Sequence, residues 1–375
     1  MPTSDPFSAL VGTAEAAARA PDEGAELDRH GAFPETAVAR LRAARLLAAP
    51  LPPDLGGAGL CGSDPAAGRA LCRVLTAVGR GSLPLGRLYE GHVNALALVL
   101  RYGDPEAQER LAMDVRDGHL FGVWNTEPEP GGLALDGDGS LSGAKIYASG
   151  AGSVTRPLVT ARLGDGRRQM LVVLLEPGAR ADLSDWRAQG MRATATGRVD
   201  FGGLTMRDAV AIGAVDDYFR PPFFLAGAWR FLAVQLGGIE AVAEAHRAHL
   251  AATRRGGDPH QQARLGRALI AVETCRLLVA RASSLAVAET EDPERIVAYV
   301  NLARAAVEQA GLDVLALAQR SVGLAGFHED HPLERLSRDL AVYLRQPAPD
   351  AALTGAAAFA CAAESPVHRL WPEEA

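Results

Sequence analysis

The sequence has few aromatic residues and no strongly basic segment, and both shortages are informative. Aromatic residues make up 5% of the 375 positions although hydrophobic residues make up 48%, so Ala, Leu and Val supply most of the apolar side chains. This mixture favours helices, because Ala and Leu lose little conformational freedom there. The formal net charge is −7, and the basic residues, nearly all arginine, are spread among acidic ones. We therefore expect no nucleic-acid partner, since phosphate binding needs a concentrated basic surface.

Cysteines and long apolar runs are also scarce. Cys61, Cys72, Cys275 and Cys361 stand far apart and form no CxxC pair, so we expect reduced, buried thiols rather than a disulfide framework or a structural zinc site. The N-terminus lacks a basic start followed by an apolar run, and stretches such as 95–100 are too short to cross a bilayer. These features predict a soluble, cytoplasmic protein with no membrane partner.

The N-terminal third has the composition of a helical segment. An Ala-rich stretch begins at Asp5-Pro6 and extends to about Arg19, with proline at a position that helices tolerate. Proline and glycine between residues 50 and 59 predict a loop. The expected helices cover residues 5–19, 34–47, 64–80, 84–102 and 104–116.

The sequence changes character at Leu120, where short runs rich in β-branched and aromatic residues begin. Gly-Asp turns at 136–139 and 164–166 are strong hairpin signals. Five or more short strands within about 95 residues predict an antiparallel sandwich or barrel. The expected strands cover residues 120–124, 141–147, 158–161, 170–175 and 197–201.

Long helices return after Tyr218. Apolar Ile296, Val300, Ala303 and Val307 recur at helical spacing and predict one buried stripe. Long helices with short connections are typical of an up-down bundle. The expected helices cover residues 221–252, 259–289, 293–322, 332–345 and, more weakly, 350–364. The fold class is therefore α+β and mostly α: an N-terminal helical domain (1–118), a middle antiparallel β domain (119–213) and a C-terminal four-helix bundle (214–375).

Five local motifs in this order resemble those of acyl-CoA dehydrogenases. FP at 33–34 followed by PPDLGGAG at 52–59 resembles the family's FP…PxxxGGxG stretch, and TEP at 126–128 resembles its flavin motif. GAKIYAS at 143–149 is similar to GxKxWIT, QRSVGLAG at 319–326 to QxxGGxG, and PLERLSRD at 332–339 to PVERxxRD. The resemblance is collinear and covers nearly the whole chain.

The resemblance implies FAD between the β domain and the helical bundle, and at least a homodimer, or a homotetramer. Thr126 then matches the residue on the pyrimidine side of the flavin, Ser149 the hydroxyl near N5, and Tyr147 the aromatic that covers the ring. Trp124 lies two residues before Thr126, so in an extended strand it faces the same side. Two further matches, Gln319 and Gly323, hold the far end of FAD across the dimer interface.

Each motif also has a purely structural interpretation. TEP can be a strand end that leads into a turn, Tyr147 can belong to the β-domain core, and 319–326 can be a helix-terminating glycine turn. The family's RxxxFG segment, which grips the pyrophosphate, is replaced by residues 253–258. Either Arg254 or Arg255 can reach a phosphate, or the two can simply be a surface arginine pair, which is the preferred interpretation.

The usual catalytic carboxylate of the family is missing. Its position after the RD motif is Pro347, and its alternative position at the start of the bundle falls near Ala228; neither side chain is basic. Asp350, three residues after Pro347, is the best substitute candidate. His328 and His331 are spaced for a metal face, but no third ligand is apparent, so capping or surface roles are preferred and no metal is expected.

Three functions remain open at this point. The first is a divergent flavin oxidoreductase with altered chemistry, of the oxidase or monooxygenase kind, acting on an acyl thioester or a related intermediate. The second is a non-catalytic homologue that binds a ligand or serves in assembly. The third is an ordinary dehydrogenase whose base is Asp350.

Overall fold

The computed structural model describes residues 7–18, 23–288 and 292–371. Six helices come first: α1 (Ser8–Ala18), α2 (Glu23–His30), α3 (Glu35–Ala43), α4 (Pro65–Gly81), α5 (Leu83–Tyr102) and α6 (Pro105–Arg116). Six more form the C-terminal part: α7 (Phe223–Ala226), α8 (Trp229–Ala252), α9 (Pro259–Leu285), α10 (Pro293–Val322), α11 (Pro332–Tyr343) and α12 (Pro349–Ala362).

Nine strands lie between the two helical parts. They are β1 (Phe121–Trp124), β2 (Ala134–Leu135), β3 (Leu141–Ser142), β4 (Ala144–Ala148), β5 (Arg156–Arg162), β6 (Arg168–Val173), β7 (Ala181–Asp182), β8 (Gly197–Asp200) and β9 (Ala209–Ile212). The fold class predicted from the sequence, mostly helical with a β middle part, is therefore confirmed.

Four long helices begin at the same dipeptide, Asp-Pro. The carboxylates of Asp64, Asp104, Asp258 and Asp292 each accept a hydrogen bond from a backbone N–H of the first turn. Proline follows at a position where its missing N–H costs nothing, because that donor would have no helical partner. This local chemistry explains why the sequence located these helix starts within a residue or two.

Other predicted boundaries were wrong. The segment predicted as one helix over 34–47 ends as α3 at Ala43, because the chain then enters turns in which Arg45 has a φ of 59°. The segment predicted over 221–252 is divided into α7 and α8, and α9 ends at Leu285. The predicted start at Asp5-Pro6 and end at Arg19 lie outside the described residues.

The β part is a mixed rather than a wholly antiparallel structure. One sheet has the order β3-β2-β5-β6-β9 with β1 also on β5, and the other has the order β4-β8-β7. β1 and β2 both run parallel to β5, which the antiparallel prediction missed. Long connections between these strands allow a parallel crossover, whereas the two hairpins β2–β3 and β5–β6 form at the predicted Gly-Asp turns.

The helical parts share one core with the inner face of the sheets. α4 and α8 cross so closely that a Cβ at Gly79 would lie 2.4 Å from the carbonyl oxygen of Val234. The predicted stripe of Ile296, Val300, Ala303 and Val307 is buried on α10, which confirms that assignment.

The thiols match their prediction only in part. Cys72 and Cys275 are buried, whereas Cys361 is exposed, because α12 has few buried positions, only Ala352 and Ala356. Across the ranges 7–18, 23–288 and 292–371, no helix is both long enough and apolar enough to cross a membrane.

Candidate active site

Four residues predicted to contact a cofactor lie side by side on the β part. The backbone N–H of Ile146 donates to the carbonyl oxygen of Thr126 over 2.9 Å. The indole Nε1 of Trp124 donates to the carbonyl oxygen of Ser149 over 3.0 Å. Trp124 itself is buried, Ser149 is half-buried, and Thr126 is exposed. We call the surface formed by Thr126, Tyr147 and Ser149 the β face.

Tyr147 stands out on the β face. Its ring is 64% exposed, and its φ is 53°, a region that bulky residues avoid. The pairing of β4 with β8 shifts register between Lys145 and Ala148, so the strand is bulged where Tyr147 turns outward. The alternative interpretation, that Tyr147 belongs to the β-domain core, is wrong. An exposed aromatic in a strained backbone indicates a functional surface.

A chain of hydrogen bonds connects Ser149 to Asp339. The Thr196 hydroxyl lies 3.4 Å from the Ser149 hydroxyl and 2.7 Å from that of Thr194. Thr194 donates in turn to the carbonyl oxygen of Met191, and the Met191 N–H donates to the Asp339 carboxylate over 2.6 Å. Asp339 belongs to α11, so this chain connects the β face to the helical bundle.

The RD motif has a structural role here. Arg338 donates to Asp28 on α2 over 2.7 Å and to the Gln189 carbonyl over 2.7 Å. Burial raises the pKa of the neighbouring Asp339 to about 6, although the Met191 N–H opposes this shift. Together, Arg338 and Asp339 fasten the loop around Met191 to α11 and α2.

Glu127, the middle residue of TEP, forms ion pairs with Lys145 and Arg168. It accepts from Lys145 over 2.7 Å and from Arg168 over 2.7 and 2.8 Å. Lys145, the single lysine of the chain, is fully buried, and burial lowers its pKa to about 8 although Glu127 opposes the shift. Burial alone would raise the pKa of Glu127, but hydrogen bonds from Arg168 and Lys145 outweigh it. Glu127 therefore holds the strand ends together and is unsuited to act as a base.

The remaining predicted cofactor residues form a second group at one end of the helical bundle. Arg254 is exposed in the turn between α8 and α9, with a φ of 56°. Its neighbour Arg255 donates to the carbonyl oxygen of Ser321 over 3.3 Å, which brings this turn to the end of α10. Gln319 and Gly323 lie at that end, and the Gly323 N–H caps the helix on the Gln319 carbonyl. Their role toward a cofactor stays a prediction.

Neither position of the family base carries a carboxylate. Pro347 is exposed, and its carbonyl oxygen accepts from Arg304 over 2.7 Å; Ala228 precedes α8. Asp350 lies exposed in the first turn of α12, and its role as a base stays a prediction. The imidazole of His331 accepts from the Leu333 N–H and caps α11, as preferred over a metal role. No group of three or more His, Cys, Asp and Glu side chains that could hold a metal occurs within the described ranges.

A partly buried polar cluster in the helical part was not predicted from the sequence. It joins Arg87, Glu90 and Asn94 on α5 to Arg230 on α8 and Tyr343 on α11. Arg87 donates to Glu90 over 2.5 Å, and Asn94 also donates to that carboxylate. Arg230 donates to the Asn94 side-chain oxygen over 3.1 Å, and the Tyr343 hydroxyl lies 3.4 Å from Glu90. We call these five residues the helical cluster.

The helical cluster carries surplus positive charge. It holds two guanidinium groups and one carboxyl group, and Glu90 is only 3% exposed. Burial raises the pKa of Glu90, although Arg87 and Arg230 oppose the shift. A signal existed in the sequence: positions 87, 90 and 94 are polar at spacings of three and four within a largely apolar helix. That spacing places them on one helix face.

A cavity of about 510 Å³ adjoins the helical cluster at Asn94 and Arg230. Phe223, Phe224 and Trp229 contribute aromatic walls. Its volume falls within the range that small-molecule sites occupy, and its mixture of aromatic walls with a few polar groups is typical of them. The described residues therefore offer two candidate ligand surfaces, the exposed β face and a cavity in the helical part.

Sequence models of two domains match this chain: "Acyl-CoA dehydrogenase, N-terminal domain" over residues 12–119 and "Acyl-CoA dehydrogenase, C-terminal domain" over 223–344. The chain belongs to the acyl-CoA dehydrogenase family. The resemblance found in the motifs is thus confirmed, and Arg254, Gln319 and Gly323 lie within the second matched region.

Named relatives within this family carry out several reactions. The chain is 24% identical over 344 residues to dibenzothiophene monooxygenase from Mycolicibacterium goodii, covering 80% of each chain. It is 29% identical over 351 residues to L-evernosamine nitrososynthase from a Micromonospora species, covering 85% of this chain and 81% of the relative. Among solved structures, FMN-bound TdsC from a Paenibacillus species has a TM-score of 0.79 at 18% identity, covering 92% and 95% of the two chains. The last likeness shows a shared fold. The prediction of a divergent family member with altered chemistry is confirmed.

Proposed function

We propose that this protein is a flavin-dependent monooxygenase that acts on a small molecule rather than a dehydrogenase of acyl-CoA thioesters. One observation supports the proposal: Thr126, Tyr147 and Ser149, which match the family's flavin residues by resemblance, lie together on the β face, while Pro347 and Ala228 stand at the positions of the family base. Dehydrogenation needs a base to remove the α proton, and general-base catalysis is worth ~10²–10⁴-fold. Oxygenation does not need that base.

The β face fits a flavin by its own geometry. Tyr147 offers an exposed aromatic ring held outward by its bulge, and the Ser149 hydroxyl is positioned by Thr196. Thr126 is exposed beside them. A bound reduced flavin supplies electrons to molecular oxygen, and the protein contributes binding, orientation and electrostatics. Tyr147 would cover the ring, and Thr126 and Ser149 would donate hydrogen bonds to it.

We further propose that the flavin is FMN, where the motifs implied FAD. In the family the RxxxFG segment grips the FAD pyrophosphate, and here residues 253–258 form a largely exposed turn. FMN has no pyrophosphate and no adenosine to hold. The FMN-bound relative of similar fold supports the same choice.

We propose that the active form is at least a homodimer. α9 exposes Leu269, Ile270 and Leu277, and the turn after α10 exposes Leu324 and Phe327. Large apolar side chains grouped on exposed helix surfaces mark protein interfaces. Leu324 and Phe327 also lie just after Gln319 and Gly323, a segment that the family resemblance implies at the dimer interface.

A flavin titration tests the cofactor part of the proposal. Purified protein is titrated with FMN and with FAD, and binding is measured from the visible spectrum and by calorimetry. We expect FMN to bind at least tenfold more tightly than FAD. Absence of binding by either flavin would support a non-catalytic homologue instead.

Turnover tests the reaction. Reduced FMN is supplied by a separate flavin reductase and NADH, and candidate substrates are screened for an oxygen atom incorporated from ¹⁸O₂. The matched assay uses butyryl-CoA and an artificial electron acceptor. We expect oxygen incorporation and no butyryl-CoA oxidation; the reverse outcome would restore the dehydrogenase interpretation and point to Asp350.

A further inference from the structure

The cavity beside the helical cluster has an electrostatic character that its aromatic walls do not reveal. Arg230 lines it, and none of the described lining residues is an aspartate or a glutamate. Arg101 also lines it and stacks on the Phe223 ring, with 3.9 Å from its guanidinium carbon to the ring centroid. These two guanidinium groups attract a negatively charged ligand.

Hydrogen-bond donors at the cavity are left unused. The Trp229 Nε1 and the Arg230 Nε are buried and have no hydrogen-bond partner among the described residues. The Arg230 guanidinium donates to the Asn94 side-chain oxygen, although a guanidinium offers five N–H donors. A buried donor without a partner is unfavourable, so an acceptor from a ligand that reached these donors would be stabilised.

The charge of the helical cluster points to the same ligand. Glu90 is shared between Arg87 and Asn94, and it is the only acid in a cluster with two guanidinium groups. The cluster is therefore positive whether or not Glu90 is protonated. Buried charge is unfavourable unless it is paired, and an anion beside Arg230 provides the missing partner.

We propose that this cavity binds the anionic end of an otherwise apolar substrate, with Arg230 recognising the negative charge and the aromatic walls holding the apolar body. The expected class is a small carboxylate or an acid of similar shape, such as a sulfinate. Guanidinium groups match the planar, bidentate geometry of carboxylates. The statement that this anion is part of the substrate rests on the proposed function. The binding site itself is independent of the flavin.

The test is a binding measurement on the protein without flavin. Calorimetry compares 3-phenylpropanoate with its neutral amide, 3-phenylpropanamide, at pH 7.5 and low salt. We expect the carboxylate to bind at least tenfold more tightly. Equal binding of the two probes, or no binding of either at millimolar concentration, overturns the proposal.

Variants locate the anion at Arg230. Arg230→Gln should remove the preference for the carboxylate, and Arg230→Lys should keep part of it. The control, Arg116→Gln, removes the same charge from an exposed position on α6 and should leave the preference intact. A preference that persists in Arg230→Gln contradicts the proposal.

The flavin titration runs separately on the same proteins. FMN binding with no anion preference would refute only this inference, and an anion preference without flavin binding would refute only the proposed function. If Arg230→Gln does not fold, the comparison of the two probes on the unchanged protein still decides the question.

Discussion

The β face and the helical cluster hold their polar groups in opposite ways. On the β face, Tyr147 and Thr126 are exposed, and a strained backbone turns the tyrosine outward. In the helical cluster, Glu90 is buried and accepts from Arg87 on its own helix, and Arg230 and Tyr343 reach the cluster from two other helices. The first arrangement suits a flat ligand that lies on a surface, and the second suits a ligand whose charged end enters a cavity.

The β face retains residues of the family chemistry, whereas the helical side has changed. The β face keeps a hydroxyl, an aromatic and a second hydroxyl at matching positions, which together can serve any flavin reaction. The helical side has lost the base position to Pro347 and carries the helical cluster instead. We therefore expect changes on the two sides to affect different ligands.

The largest expected effect comes from the ion cluster behind the β face. Glu127→Gln leaves the buried Lys145 without a full counter-charge. Breaking a buried ion pair on one side is strongly destabilising, so we expect a loss of about 3 kcal/mol in the free energy of unfolding, measured by urea denaturation. The control Glu329→Gln, in an exposed turn, should change it by less than about 0.5 kcal/mol. Equal effects would show that the cluster does not stabilise the fold.

The next effect concerns Asp339, which fastens the β face to α11. Its pKa rises from 3.8 to about 6 on folding, so between these values the folded protein holds a proton that the unfolded chain has released. The free energy of unfolding should therefore fall as the pH rises through this window, by up to about 1.4 kcal/mol per pH unit from this group.

Asp339→Asn should remove that contribution. The amide oxygen can still accept from the Met191 N–H, so we expect the variant to gain stability relative to the unchanged protein as the pH rises from 4 to 6, and to hold that gain above it. Urea denaturation at pH 4.5, 5.5 and 6.5 measures the difference. Burial lowers the pKa of His92 to about 4, which acts in the opposite direction but is common to both proteins. A difference that does not vary with pH would contradict the assignment to Asp339.

Replacing Tyr147 should change the stability of the fold only slightly but should clearly weaken FMN binding. Tyr147→Gly relieves the backbone strain at a φ of 53°, so we expect stability to stay equal or to rise by up to about 1 kcal/mol. FMN affinity should fall at least tenfold, because the aromatic ring is lost. The carboxylate preference of the cavity should not change. Loss of both affinities would show that the two sides are not independent.

The smallest effect is expected at Asp350. Asp350→Asn changes an exposed side chain on α12, so turnover with reduced FMN should stay within twofold and stability within about 0.5 kcal/mol. A large loss of turnover would make Asp350 the base after all. Thermal unfolding of the variant serves as the control for folding.

Sequence patterns predicted the architecture well because its signals are local. Asp-Pro pairs start helices, Gly-Asp turns close hairpins, and the stripe from Ile296 to Val307 lies within one helix. The predicted boundaries failed where the signal was not local, as at the separation of α7 from α8. The parallel pairing of β1 with β5 joins segments more than thirty residues apart, and no local signal reports it.

The order of elements, the family and the loss of the base at Pro347 can be read from the residues alone, since these depend on residue identity and short-range chemistry. The set of polar residues that meet depends instead on how the helices pack. Arg87 and Glu90 are close in sequence, but Arg230 lies 136 positions from Asn94 and Tyr343 lies 253 positions from Glu90, and they join the cluster only because α5, α8 and α11 pack together. The exposure of Tyr147 likewise depends on a bulge set by its pairing with β8. Long-range packing thus assembled both sides of the candidate site.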